Sequence, residues 1–169
     1  MKIVLAFDSY KGCLSAEDVC EAAKEGVLAV AQDAEVVCVP LSDGGEGLVD
    51  CFLRMGKGHA VQVRVHGPLM EEVLATYALS EDGKTAYMEM SSACGLMLVP
   101  VEQRNPMETT TYGLGEMLVD VIERGGCHVV LGIGGSATCD GGMGMLEALA
   151  SWQEAKGGWQ EAGQSLRLT

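Results

Sequence analysis

Three segments combine carboxylates, hydroxyls and glycines in the way that anion and metal sites do. They are Asp8-Ser9-Tyr10-Lys11-Gly12, Ser42-Asp43-Gly44-Gly45-Glu46-Gly47 and Gly134-Gly135-Ser136-Ala137-Thr138-Cys139-Asp140-Gly141-Gly142. Glycine lets a backbone approach an anion closely and take up positive φ. Aspartate can hold Mg²⁺ or accept a hydroxyl proton, and Lys11 can neutralise a phosphate. Where a helix follows, its free N–H groups face the anion. The same residues also suit ordinary turns, in which an aspartate merely caps the next helix. Repetition favours a site, because ligand sites in open α/β sheets are assembled from several strand ends. None of the segments is a P-loop, and Gly132, Gly134 and Gly135 lack the third glycine of a dinucleotide fingerprint. Alone, these residues point to an α/β enzyme that binds phosphate or metal.

A fourth cluster, Arg104 with Thr109, Thr110, Thr111 and Tyr112, suits a carboxylate or phosphate site, or equally a helix N-cap with spare hydroxyls. Glu89 stands among apolar and small residues, and spacing does not separate an outward-facing residue from a site acid. His59, His66 and His128 flank strands without ligand spacing and read as surface or edge residues. The seven cysteines are odd in number and form no C-x-x-C pair, which fits reduced, mostly buried thiols rather than a disulfide scaffold or zinc site. The ten methionines sit among Leu and Val and read as core filler.

The elements that must position these groups follow from periodicity. Lys2–Ala6 is a short apolar strand. Ser15 opens a helix with Asp18 as its capping partner, and Val19, Ala23, Val27 and Val30 recur on one stripe. Glu35–Val39 is a strand stopped by Pro40, and Leu48–Met55 a short helix. This alternation predicts a parallel layer. From Ala60 the pattern changes: Val61, Val63 and Val65 alternate with Gln62, Arg64 and His66, and Asp82–Gly83 joins two further strands as a hairpin. Thr109 or Thr110 then caps a helix to about Arg124, with Leu114, Met117, Leu118 and Val121 on its apolar face. His128–Ile133 is a buried strand and Met143–Ala150 a helix. The fold class is therefore α/β, with a parallel layer over residues 1–56, a second mixed region over 57–150 and an atypical tail over 151–169 that has no strand pattern. The tail repeats W-Q-E-A, at Trp152 and Trp159.

With 169 residues, 48% of them hydrophobic, the chain can build one substantial core or two small lobes, and its body is not disordered. A net charge of −13 argues against nucleic acid or an anionic membrane as partner. No apolar run reaches the roughly 18 residues of a membrane span, and the N-terminal apolar run is too short for a leader. The expected location is the cytoplasm.

The motifs A-F-D-S-Y-K-G, S-D-G-G-E-G, E-M-S-S-A-C-G-L, R-N-P-M-E-T-T-T-Y-G-L-G-E and G-I-G-G-S-A-T-C-D-G-G-M-G-M-L resemble, in order and spacing, those of the bacterial-type glycerate kinases. The resemblance runs from Met1 to about Leu149. It implies an ATP- and Mg²⁺-dependent kinase that phosphorylates D-glycerate, with the O2 hydroxyl favoured and hence 2-phosphoglycerate as product. It also implies a two-domain fold, one domain flavodoxin-like and one restriction-endonuclease-like. Carried over by motif, Asp8, Lys11, Asp43 and Asp140 are the implied catalytic residues. Ser9, Gly44, Gly45, Glu46, Arg104, Thr110, Thr111, Gly134, Gly135, Ser136 and Thr138 are the implied substrate or nucleotide contacts, and Asp43 and Asp140 the implied metal ligands. Phe7 stands where the family usually has Pro, and Cys139 where Asn is usual. The family continues for about as many residues again. The expectation is therefore its N-terminal part: an incomplete fold, poorly stable or homo-oligomeric, and weakly active or inactive. The rival readings are a remnant that binds nucleotide or a small hydroxy-acid without turnover, and a fragment with no site formed.

Overall fold

The computed structural model describes residues 1–156 and 167–169. Strand β1 (Lys2–Leu5) pairs in parallel with β2 (Glu35–Cys38), Ile3 opposite Val36. A parallel pair needs a crossover, here helix α1 (Ala16–Val30). The helix starts as expected: Ser15 Oγ accepts the Asp18 N–H at 3.1 Å and donates to Asp18 Oδ2 at 2.7 Å. Ala16, Val19 and Cys20 are buried beneath it, yet Val30, expected on the same stripe, is 91% exposed. Reach explains this. Fifteen helical residues span about 22 Å, whereas four-residue strands span about 13 Å, so the helix overhangs its sheet.

The second sheet has five strands in the order β3 (Gly58–His66), β4 (Glu72–Ser80), β5 (Thr85–Glu89), β6 (His128–Gly132) and β7 (Arg167–Leu168). The first three are antiparallel, and β5–β6 and β6–β7 are parallel. The chain is thus α/β with one parallel and one mixed sheet. Strand periodicity sorts its side chains cleanly. Ala75, Tyr77 and Leu79 of β4 and Ala86 and Met88 of β5 face one core. That core is closed by Leu114, Met117, Leu118 and Val121 of helix α4 (Tyr112–Glu123). Ala78 and Tyr87 face the opposite side, where helix α2 (Leu48–Arg54) lays Val49 and Phe52. The Phe52 and Tyr87 rings stack at 3.8 Å and 18°. Although α2 falls within residues 1–56, it therefore rests on the five-stranded sheet, because its aromatic anchor is there. Helix α3 (Met90–Cys94) follows β5 directly, and helix α5 (Met143–Ala155) packs along α4.

Several expectations are corrected. Only Cys20 and Cys94 are buried among the seven free cysteines, and Cys13 and Cys139 are exposed. Met88 and Met117 fill the core, but Met1, Met55, Met70, Met97, Met107 and Met143 are more than half exposed. The N-cap of α4 is Thr111, one or two residues later than expected. The tail does contribute a strand: Arg167–Leu168 pairs with β6, and two residues are too few to show any alternation. Gly157, Gly158 and Trp159 lie outside the described residues.

Candidate active site

Segment 42–47 is shaped by its own side chains. Ser42 Oγ accepts the Gly44 N–H at 3.3 Å and donates to Glu46 O at 3.3 Å, while Asp43 Oδ1 accepts the Gly45 N–H at 3.0 Å. The loop so formed docks on segment 134–142, where the Gly134 N–H donates to Gly44 O at 3.1 Å. The contact is backbone on backbone. A Cβ at Gly134 would stand 2.6 Å from Gly45 Cα, and one at Gly132 would stand 2.4 Å from Gly44 O. Gly132 is the register partner of Glu89 across β5–β6. Two of the three sequence loops therefore meet over the carboxyl ends of adjacent parallel strands, the place where open α/β sheets bind ligands.

Segment 134–142 is held from its other side by the end of α3 and the chain that follows it. Leu96 N–H donates to Gly135 O at 2.9 Å and Ala137 N–H to Cys94 O at 2.8 Å. Helices α2 and α5 both begin at a left-handed glycine, Gly47 (φ 94°) and Gly142 (φ 83°), which has no side chain to cap with. Carboxylates supply the acceptors instead. Glu89 Oε1 accepts the Val49 N–H at 2.8 Å, and Ser91 Oγ donates to its Oε2 at 3.3 Å. Asp140 Oδ1 accepts the Gly142 N–H at 3.0 Å. Its Oδ2 accepts the Gly144 N–H at 3.2 Å and both the N–H and the hydroxyl of buried Thr111 at 2.8 Å. The Thr111 hydroxyl in turn accepts the Met145 N–H at 3.0 Å. Asp140 and Thr111 thus tie α4 to α5. Several N–H groups expected to face an anion are engaged within the protein.

These surroundings shift the two carboxyls oppositely. Partial burial pushes Asp140 upward, but the hydrogen bonds from Thr111, Gly142 and Gly144 outweigh it and hold the carboxyl below the ordinary aspartate range. Burial raises Glu89 above the ordinary glutamate value, only partly opposed by its bonds from Val49 and Ser91. Spacing gave no hint of the Glu89 role; the signal was a lone carboxylate in an otherwise apolar and small-residue run.

Five of the remaining candidate residues line two clefts, Ser9 and Glu46 one, and Arg104, Ser136 and Thr138 the other. Ser9 and Glu46 line a cavity of about 330 Å³ between segment 8–12 and α2, with Asp50, Cys51 and the ion-paired Arg54 and Glu17 in its wall. Arg104, Thr109, Ser136 and Thr138 line a second cavity of about 250 Å³. Asp8 Oδ1 accepts the Ser9 N–H at 2.6 Å, and Lys11 is exposed. Thr110 Oγ1 accepts the Tyr112 N–H at 3.2 Å, against the start of α4. His66 pairs with Glu116 and His128 with Thr169, outside these clefts. No group of three His, Cys, Asp or Glu side chains among the described residues could hold a metal unaided. Asp43 is exposed with one oxygen bonded to Gly45, so it retains a hard oxygen donor. Both Asp140 oxygens are occupied.

The glycerate kinase family matches residues 3–167. The chain belongs to that family. It is 50% identical over 149 residues to a glycerate kinase of Bacillus cereus, covering 88% of this chain and 39% of the relative. It is 48% identical over 151 residues to the glycerate 2-kinase of Escherichia coli K12, covering 89% and 40%. A crystal structure described as that of a glycerate kinase 2 from Salmonella typhimurium LT2 superposes with a TM-score of 0.68 at 47% identity, covering 89% of this chain and 41% of that one. This glycerate kinase family chain thus spans about two fifths of the length of the relatives it matches. The family match reaches residue 167, into the tail expected to lie outside the resemblance, while the Bacillus cereus relative aligns over 149 residues. Among the described residues no helix is long and apolar enough to cross a membrane.

Proposed function

We propose that the chain carries part of a site that transfers the γ-phosphoryl group of ATP to D-glycerate, at the O2 hydroxyl. The observation that carries this reading is the glycine-on-glycine docking of segments 42–47 and 134–142 over the ends of β5 and β6, in a member of the glycerate kinase family. The name of the Escherichia coli relative, glycerate 2-kinase, supports O2 over O3. Phosphoryl transfer asks for little covalent chemistry from the protein; positioning and charge neutralisation supply most of the catalysis. Small glycine loops let phosphate oxygens approach backbone N–H groups. Asp43 fits Mg²⁺, which commonly takes one or two carboxylates and completes its shell with phosphate oxygens and water. When bound, Mg²⁺ neutralises charge on the transferred group. Lys11, exposed on its loop, adds positive charge, and Asp8 is the candidate acceptor of the substrate proton. Asp140, with four hydrogen bonds inside the protein, is a positioning residue in this scheme rather than base or metal ligand. The division between the two regions falls before α2, in 39–47.

One observation favours the second reading, binding without turnover: Asp8 and Lys11 ride on the small β1–α1–β2 unit, whose core is four side chains, Leu5, Ala16, Val19 and Cys20. The test is incubation with ATP, Mg²⁺ and D-glycerate, following ADP release and assigning the product by phosphorus NMR. Glycerate-dependent ADP with 2-phosphoglycerate supports the kinase. A glycerate-induced rise in melting temperature without ADP supports the binding remnant, and neither signal contradicts both.

A further inference from the structure

The cavity beside Arg104 differs in charge from the rest of the molecule. The chain has a net charge of −13, yet no acidic residue lines this cavity. Arg104 makes no ion pair among the described residues. Its Nε donates to the carbonyl of buried Val99 at 3.2 Å, which anchors one edge of the guanidinium and leaves the Nη groups as donors. Opposite stand Ser136 and Thr138, their hydroxyl oxygens 2.8 Å apart, with Ser136 Oγ also accepting the Thr138 N–H at 3.1 Å. One of the two hydroxyls donates to the other, so one proton of the pair remains for an outside acceptor. The Thr109 hydroxyl is spent within the wall, donating to Ala137 O at 2.8 Å.

We propose that this cavity binds the carboxylate of the small hydroxy-acid acceptor, with Arg104 as counter-ion and the Ser136–Thr138 pair as hydroxyl donor. Only the identity of the acid rests on the function proposed above; the anion chemistry stands on the cavity. At about 250 Å³ it is smaller than the roughly 300–1,000 Å³ that enclose drug-sized ligands, so it suits a few-carbon acid and not a nucleotide. A single guanidinium fork matches the two oxygens of a carboxylate. Ser136 lies two residues beyond Gly134, where segment 134–142 docks on segment 42–47. The acid is therefore held on the same loop that takes part in the docking.

Titration calorimetry on this chain with D-glycerate, glycolate, glycerol, inorganic phosphate and MgATP tests the inference. Both acids bind and glycerol does not. Arg104→Ala weakens both acids about 10- to 100-fold, as expected for a lost charge-assisted bond, and leaves MgATP affinity unchanged. Arg104→Lys restores part of the loss, and Ser136→Ala costs less than Arg104→Ala. Arg104 is exposed, so an unchanged melting temperature confirms folding of each variant. Binding of glycolate but not D-glycerate, lost in Arg104→Ala, supports this site while removing glycerate as its acid. The proposal is overturned if Arg104→Ala keeps its acid affinity, if phosphate or MgATP affinity falls instead, or if no carboxylate binds.

Discussion

Around β1 and β2, four buried side chains hold a helix to a two-stranded sheet; around the five-stranded sheet, fourteen buried residues form one continuous cluster. Both regions use the same strand–loop–helix design, and both have a correctly started first helix or hairpin. They differ in how much apolar surface each can close over. Val4, Val30 and Val39 are exposed in the first region, whereas Tyr77, Met88, Met117 and Leu118 are fully buried in the second. The candidate site divides along the same line. Asp8 is held by one bond to its neighbour Ser9, while Asp140 is held by four, three of them from backbone N–H groups. Local sequence makes the loops; core size determines which of them are rigid before a ligand arrives.

The largest effect that sharpens this contrast is expected at Leu118. Leu118→Ala removes a fully buried side chain and lowers stability by about 2–5 kcal/mol, read by denaturant titration. Asp140→Asn comes next, at about 1–3 kcal/mol, because three backbone donors lose a charged acceptor. Gly134→Ala forces a Cβ against Gly45; it costs about 1–3 kcal/mol and weakens binding of MgATP as the two loops separate. The pH dependence then separates two carboxyls. Asp140 has a lowered pKa, so its contribution is full above the ordinary aspartate value and is lost as pH falls through the lower folded one. The Asp140→Asn deficit is therefore largest near neutrality and shrinks on acidification. Glu89 has a raised pKa, so its contribution is full below the ordinary glutamate value and is lost as pH rises through the higher folded one. Glu89→Gln accordingly gains on the parent chain near neutrality, and that gain disappears in acid. Two variants with the same pH slope would break the assignment. At the small end, Val30→Ala, at an exposed site, changes stability by no more than about 0.5 kcal/mol; a loss comparable to Leu118→Ala would erase the contrast between the regions.

The features legible in the sequence were those set by near neighbours. Ser15 and Asp18 are three residues apart, and their mutual bonds follow from that spacing. The buried face of α4 and the alternation of β3 to β5 likewise follow from period alone. The family resemblance extended this to the loops, because their residues and order are specific. What spacing could not show is pairing at long range. Glu89 meets Val49 across forty residues and Asp140 meets Thr111 across twenty-nine. Nothing in either segment names its partner, so Asp140 reads equally as metal ligand, base or cap. The seat of α2 depends on Phe52 finding Tyr87. The exposed methionines are illegible for a related reason: a flexible apolar side chain looks alike in a core and on a rim until the elements are packed.

Hydrogen exchange of the chain, alone and with MgATP and D-glycerate, tests whether a rigid five-stranded region presents the docked loops while the β1–α1–β2 region closes less firmly. Slow exchange is expected in β3 to β6 and α4, fast exchange in β1, α1 and β2, and added protection on ligand binding over 42–49 and 134–145. Equal protection of the two sheets, or ligand protection that bypasses both docked loops, would contradict that arrangement.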